Sequence, residues 1–252
     1  MAAKKTRNED GSKEPQSSGK KKDPEREPPN SWAEWAKSIA VALALFLFLR
    51  TFLIQTFVIT SGSMEETMLV GDMLVVNRLA LGSRIPGTDL RIPGYSSPKS
   101  GDILVFDPPH EETIMLIKRL IGMPGDTLEM RSRVLYRNGD AVDEPYVVHS
   151  DVIDEPHPWM EWQRDYLTSD VDARSYSPTR DNWGPLVIPE DRYFTMGDNR
   201  ERSLDSRYWG LLERWRLEGR AVVTYFSYNK DSFRPFPWIR EIRWGRIGGL
   251  IR

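Results

Sequence analysis

Residues 113–122 read Thr-Ile-Met-Leu-Ile-Lys-Arg-Leu-Ile-Gly, and the way they are read decides the fold. Drawn out as a strand, the segment places Ile114, Leu116, Lys118 and Leu120 on one face, because side chains alternate across an extended chain. A lysine in the middle of an apolar face admits two explanations. One is an edge-strand lysine whose stem covers apolar surface while its head reaches water. The other is a desolvated amine, which can act as a general base once it is neutral. From a reference pKa near 10.4, holding it neutral at pH 7 costs about 4–5 kcal/mol, which burial among aliphatic side chains can supply.

The same pattern recurs on both sides of this strand. Short apolar runs between turn signals lie at Met73–Val76, Ile103–Phe106, Arg133–Tyr136, Tyr146–Val148, Leu186–Ile188, Tyr193–Met196 and Ala221–Phe226. Asn138-Gly139 predicts a tight hairpin, and Gly125-Asp126 marks another turn. A mainly β domain follows. Residues 149–185 break the pattern, being acidic, aromatic and poorly periodic, and read as an insertion of irregular structure. The chain ends in FRPFPWIREIRWGRIGGLIR, which is aromatic and basic.

Ahead of the β-rich part, Ser38–Ile59 reads SIAVALALFLFLRTFLIQTFVI. The unbroken apolar run Ile39–Leu49 is too short to span a bilayer by itself and fits a buried amphipathic helix. Taken from Trp32 to about Phe57, the segment predicts a transmembrane anchor helix over 31–58. Trp32 and Trp35 then mark one interface, and Arg50 snorkels toward the other. A cleavable signal peptide fits less well, given the long charged stretch before it and the lack of a small-residue cleavage site. Residues 1–30 are rich in Lys, Glu, Pro, Ser and Gly and predict a disordered tail. Nine Lys/Arg precede the apolar run, counting Lys37, and none lies between Arg50 and Arg78. The basic residues therefore put the N-terminus in the cytoplasm and everything after the anchor outside it, in a single-pass protein of the cytoplasmic membrane.

Composition narrows the chemistry. Among 252 residues, 35 Lys/Arg balance 37 Asp/Glu, which argues against binding nucleic acid by bulk charge. The mean hydropathy of −0.51 excludes a polytopic membrane protein. There is no cysteine, so disulfides, Cys-based zinc sites and Cys nucleophiles are excluded. Only His110, His149 and His157 could serve a histidine-dependent site. A serine activated by a lysine avoids that need. Ser61-Gly62-Ser63-Met64, just past the anchor, offers two hydroxyls, although such a string is more often a turn. The stretch Gly197–Gly210, GDNRERSLDSRYWG, is dense in hydrogen-bonding groups and follows a strand. It is either a loop held by Asp–Arg pairs or the support that orients catalytic groups.

Together these blocks resemble those of bacterial type I signal peptidases (leader peptidases), membrane-anchored Ser–Lys endopeptidases. They occur in the family's order: an apolar segment ending in FVITSGSM, then Gly71-Asp72-Met73-Leu74-Val75-Val76, Gly101-Asp102-Ile103, Ile117–Asp126 and Gly197–Gly210. The resemblance implies a β-rich catalytic domain of the signal-peptidase and repressor-protease kind over 59–252, with an inserted subdomain at about 128–190. It implies Ser63 as nucleophile and Lys118 as general base. Ser61 would join the Ser63 N–H in the oxyanion hole, and Ser203 would hydrogen-bond and orient the base. Asp205 and Arg207 would brace the site, and Met64 would line the substrate cleft. The implied substrates are preprotein signal peptides with Ala-x-Ala sites. The bilayer would be a partner through Phe233, Phe236, Trp238 and Trp244, with the secretion machinery nearby, and no metal, cofactor or nucleic acid is implied. Glu66 stands where the family usually has proline, which would loosen the turn beside Ser63. Two other readings share parts of this pattern. A self-cleaving Ser–Lys regulator would need a DNA-binding helix-turn-helix ahead of the core. An inactive membrane-tethered binding module would not need Ser63, Lys118 and Ser203 together.

Overall fold

The computed structural model describes residues 31–49, 54–84, 88, 90–111, 113–150 and 153–251. The predicted tail over 1–30 lies outside the described residues. The chain forms β1 (Ile54–Val58), β2 (Asp72–Asn77), β3 (Gly82–Arg84), β4 (Arg91–Pro93), β5 (Ile103–Phe106), β6 (Leu116–Gly122) and β7 (Thr127–Arg131). Beyond them come β8 (Val134–Arg137), β9 (Asp140–Ala141), β10 (Trp183–Val187), β11 (Arg192–Met196), β12 (Leu212–Glu213) and β13 (Leu217–Ser227). Three helices are described: α1 (Ser31–Phe48), α2 (Ser206–Trp209) and α3 (Pro237–Arg240).

A seven-stranded sheet runs in the order β1-β2-β13-β5-β6-β11-β12, and a four-stranded sheet runs β10-β7-β8-β9. The second sheet comes entirely from residues 127–187. Its β8–β9 hairpin turns at Asn138 and Gly139, whose φ angles of 56° and 89° suit a type I′ turn. The described residues of 149–182 supply no strand. They form the 3-10 turn Pro158–Tyr166 and irregular backbone packed on that sheet. The run Tyr146–Val148 was expected to be a strand, but it makes only an isolated parallel bridge from Val148 to Asn199.

Apolar burial ties these parts together. Ile121, Leu128, Leu135, Met160, Trp183, Leu186, Phe194 and Met196 form one core cluster shared by strands of both sheets. A second cluster, with Ile59, Met64, Met68, Leu74, Val76, Ile103, Val105 and Ala221, lies under the segment carrying Ser63. β1 and β6 are separated by three strands in the sheet order, yet both line one cleft, so the sheet is curled.

The N-terminal expectation needs correction. α1 holds 18 residues, and its apolar side chains from Ile39 to Phe48 are exposed along with Trp32 and Trp35. At about 1.5 Å per residue it is roughly 27 Å long, and Glu34 and Lys37 sit in its first two turns. No helix among the described residues is long and apolar enough to cross a membrane. The last part of the expected 31–58 helix is instead strand β1, paired with β2 from Ile54–Asn77 to Val58–Met73. The chain divides into two units, residues 1–44 and 45–252, and the site described below lies in the second.

Candidate active site

Ser63 sits in the 3-10 turn Gly62–Met64, directly after β1 and Ile59-Thr60. The turn is held from beneath: Met64 and Met68 are buried in the core, and the Met68 N–H donates to the Met64 carbonyl at 2.7 Å. Burying two such side chains is worth several kcal/mol, about 1.5–3 each. Lys118 comes from β6, opposite Leu104 of β5. β6 lies inside the sheet order, and the edge-lysine explanation fails because Lys118 is buried, at 3% exposure, and its head does not reach water. The pairing of β6 with β11 begins only at Arg119, however, so the stretch Leu116–Lys118 has a strand partner on one side only.

The two meet. Lys118 Nζ donates to Ser63 Oγ at 2.8 Å and to its neighbour's carbonyl, Ile117 O, at 3.1 Å. Both residues are buried, at 6% exposure for Ser63 and 3% for Lys118. Burial lowers the Lys118 pKa from 10.5 to about 8, against the pull of the Asp205 and Asp198 carboxylates and with the help of Arg207. Ser61 is exposed, with its Oγ 3.4 Å from Ser63 Oγ. Met64 lines the cleft beside them.

The loop after β11 packs against the nucleophile. The Asn199 N–H donates to the Ser63 carbonyl at 3.1 Å. A Cβ at Gly197 would lie 2.4 Å from that same carbonyl oxygen and 2.3 Å from Ser203 Oγ, so the close approach requires glycine. Asp205 caps α2 through the Arg207 N–H and takes two side-chain bonds from Arg207, Nε and Nη2, each at 2.8 Å. Its second oxygen also accepts from the Gly197 N–H at 3.0 Å. Burial pushes the Asp205 carboxyl up, but the Arg207 guanidinium and these hydrogen bonds outweigh it and hold the group below the usual carboxylate range. Asp205 and Arg207 thus join the Gly197 N–H to the start of α2 within this loop. Ser203 does not make the expected bond to the base: its buried hydroxyl lies beside the Asp205 carboxylate and helps hold that group's pKa down. It packs on Gly197, and the Lys118 amine donates to Ser63 and Ile117 instead.

A second buried pair had no role in the sequence reading. Arg119 faces away from Lys118 and grips Asp198 with two bonds of 2.8 and 2.7 Å. Its guanidinium lies 3.7 Å from the centre of the Tyr146 ring. Thr67 Oγ1 donates to the same carboxylate at 2.5 Å, which ties the nucleophile segment to the loop. The available signal was an arginine next to the lysine in an apolar strand. All three histidines are engaged elsewhere: His149 with Glu201, His110 against Trp209, and His157 against Trp159 and Tyr208. Among the described residues, no group of three or more His, Asp or Glu is placed to hold a metal ion.

The turn beside Ser63 also departs from expectation. Glu66 has a φ of 80°, after Glu65 at φ −55° and ψ 147°. Those angles match the central residues of a type II turn. Proline is locked near φ −65° and cannot take the Glu66 position. Glu66→Pro is therefore expected to lower both melting temperature and cleavage rate, with strain of roughly 1–3 kcal/mol, rather than tighten the turn. Thermal unfolding alongside a cleavage assay checks this, and a gain in both would contradict the observed turn.

Comparison with known proteins agrees with this geometry. The family described as signal peptidase, peptidase S26, matches residues 32–226. The signal peptidase I of Pseudomonas aeruginosa is 34% identical over 221 residues, covering 81% of this chain and 76% of that one. The signal peptidase I of Bacillus licheniformis is 34% identical over 202 residues, covering 80% and 92%. A probable signal peptidase I-2 of Synechocystis is 30% identical over 219 residues, covering 84% and 79%. With most of its length matched and a serine hydroxyl in contact with a buried lysine, the chain belongs to the signal peptidase, peptidase S26, family.

Proposed function

We propose that this chain is a membrane-anchored serine endopeptidase that removes signal peptides from exported preproteins, with Ser63 as nucleophile and Lys118 as general base. The observation that carries it is the 2.8 Å contact between Ser63 Oγ and an amine that burial has made easy to deprotonate. Neutral Lys118 takes the Ser63 proton as Oγ bonds to the scissile carbonyl carbon. The oxyanion is held by the Ser63 N–H and the Ser61 hydroxyl. The C–N bond then breaks, and the protonated Lys118 gives its proton to the leaving amine. Lys118 next takes a proton from water, which hydrolyses the ester and restores the serine.

The cleft fits an extended peptide with small side chains. Its walls are the end of β1, Phe57–Thr60, and the start of β6, Met115–Lys118. Leu116–Lys118 has one side without a strand partner, so a substrate can add there as a strand. The cleft is partly open and small, about 80 Å³, and is lined in part by Ile59, Met64 and Ile117, which supports a preference for small side chains such as those of Ala-x-Ala sites.

Contact with lipid is supported by exposed apolar side chains rather than by a complete span. Phe233, Phe236, Trp238, Ile239, Trp244 and Leu250 are exposed on the C-terminal segment, interleaved with Arg234, Arg240 and Arg243. Aromatic and basic side chains favour the membrane interface. α1 carries further exposed apolar residues, and the basic residues preceding it favour a cytoplasmic N-terminus.

The test is a pH profile. The active form is the neutral amine, so cleavage of a preprotein with an Ala-x-Ala site should rise with pH through about 8 and then level off. At pH 7 about a tenth of the lysine is neutral for a pKa of that size, so the rate there should be roughly a tenth of the plateau. A rate that is flat from pH 6 to 10 would remove Lys118 as the base.

A further inference from the structure

Residues 149–185 supply no group to the reaction just described, yet they reach the catalytic loop and α2 at several points: His149 and Ser150 at Glu201, His157 at Tyr208, and two donors at the Arg207 carbonyl. α2 is four residues long and stops at Gly210, whose φ is 102°. Its carbonyls have no following turn of helix to bind, so they need donors from outside. The Arg207 carbonyl receives two, from Trp162 Nε1 at 3.1 Å and Gln163 Nε2 at 3.0 Å. Both donors belong to the 3-10 turn Pro158–Tyr166. Gln163 is fully buried and its amide is itself oriented. Its Oε1 accepts from the Tyr176 hydroxyl at 2.6 Å, and that oxygen accepts from the Gly184 N–H at 2.7 Å. Arg164 fixes the tyrosine's segment by donating to the Ala173 and Tyr176 carbonyls.

Beyond Arg207 the contacts run on to the dyad. The Arg207 side chain holds Asp205 and donates to the Arg200 carbonyl at 2.7 Å. Asp205 holds the Gly197 N–H, and two residues further on the Asn199 N–H holds the Ser63 carbonyl. The charged groups that act on Lys118, namely Asp205, Asp198 and Arg207, all lie on this loop and α2.

We propose that Gln163 is a positioning residue for peptide cleavage, through which the inserted segment fixes α2 and the Asp205–Arg207 pair and so keeps water away from Lys118. The proposal rests on the Ser63–Lys118 reading. If the amide is removed, one acceptor site on the Arg207 carbonyl is empty and the loop loosens. Water then reaches the amine, and its proton affinity climbs toward the ordinary lysine value.

The test compares full-length Gln163→Leu and Tyr176→Phe with the unmodified protein in detergent, measuring kcat and KM on an Ala-x-Ala preprotein from pH 6 to 10, with melting temperatures in parallel. For Gln163→Leu the rise in kcat/KM should move up by about one pH unit, because the acid limb reports the base of the free enzyme. The rate at pH 7 should fall about tenfold and recover to within about threefold at pH 9.5, with KM changed less than about twofold. Tyr176→Phe should shift the limb the same way by less. An unmoved limb in both variants overturns the proposal, even if kcat and melting temperature fall together, since that pattern is a purely structural loss. If Gln163→Leu does not fold, an unmoved limb in Tyr176→Phe decides against it. Ser63→Ala, run alongside, separates the two levels. Activity retained there means the dyad reading has failed, and no activity there with unmoved limbs means that only the role of Gln163 has failed.

Discussion

Ser63→Ala and Lys118→Met are each expected to reduce preprotein cleavage by about 10⁴-fold or more at pH 8, because removing one member of a nucleophile–base unit disables the unit. The two differ in stability. Ser63→Ala trades a small buried hydroxyl for a methyl and should unfold close to the unmodified temperature. Lys118→Met removes an amine whose folded-state pKa, about 8, lies below its ordinary 10.5. A base with a depressed pKa binds its proton more weakly in the folded state. Below pH 8 both states are protonated and the folded protein carries the full penalty, which fades as pH rises from 8 toward 10.5. Lys118→Met should therefore raise stability at pH 7 by roughly 1–3 kcal/mol while abolishing activity. Calorimetry at pH 7 and at pH 10 checks the sign: the gain should be largest at pH 7 and nearly gone at pH 10. A loss of stability at pH 7 would mean that the amine is not held in a desolvated site.

The second large effect lies behind the dyad. Arg207→Ala leaves the fully buried Asp205 carboxylate without its counter-charge, and breaking a buried pair on one side costs about 3–5 kcal/mol. Both side chains are inaccessible, and the pair also satisfies the N-cap of α2 and the Gly197 N–H. For a domain of this size the melting temperature should fall by about 6–20 °C. Cleavage should drop as well, because the loop that holds the Ser63 carbonyl loses its anchor. Replacing both residues at once, Asp205→Leu with Arg207→Met, removes the lone charge and should recover part of the stability without recovering activity. Equal losses for the single and double variants would show that the pair is not coupled.

These residues differ in how far the sequence exposes them. Lys118 is visible because it interrupts a period-two apolar face, and the register opposite Leu104 places it where β6 has a strand on one side only. Ser63 is visible through the order of motifs, since two serines around a glycine say little alone. The Arg119–Asp198 pair spans 79 positions, and no local pattern announces a contact at that separation. β1 was folded into the predicted anchor because Phe57 and Val58 continue an apolar run, and hydrophobicity without a clear period cannot separate helix from strand. β7 went unrecognised because Thr127, Glu129 and Arg131 dilute Leu128 and Met130, the two residues it buries. Ser203 shows the opposite failure: its position in the motif promised a bond to the base, and the local packing on Gly197 decided otherwise. The inserted residues 149–185 have poor periodicity because their contribution is made by individual hydrogen bonds, such as those of Trp162 and Gln163, rather than by one apolar face.

The central claim is that Ser63 faces a lysine that gives up its proton near neutral pH. Titrating Lys118 itself tests this most directly, by following the NMR signals of its side-chain nitrogen and adjacent carbon in the folded Ser63→Ala protein. The account predicts a midpoint at about 8, shifted down by burial. A midpoint at or above the ordinary 10.5 would contradict it.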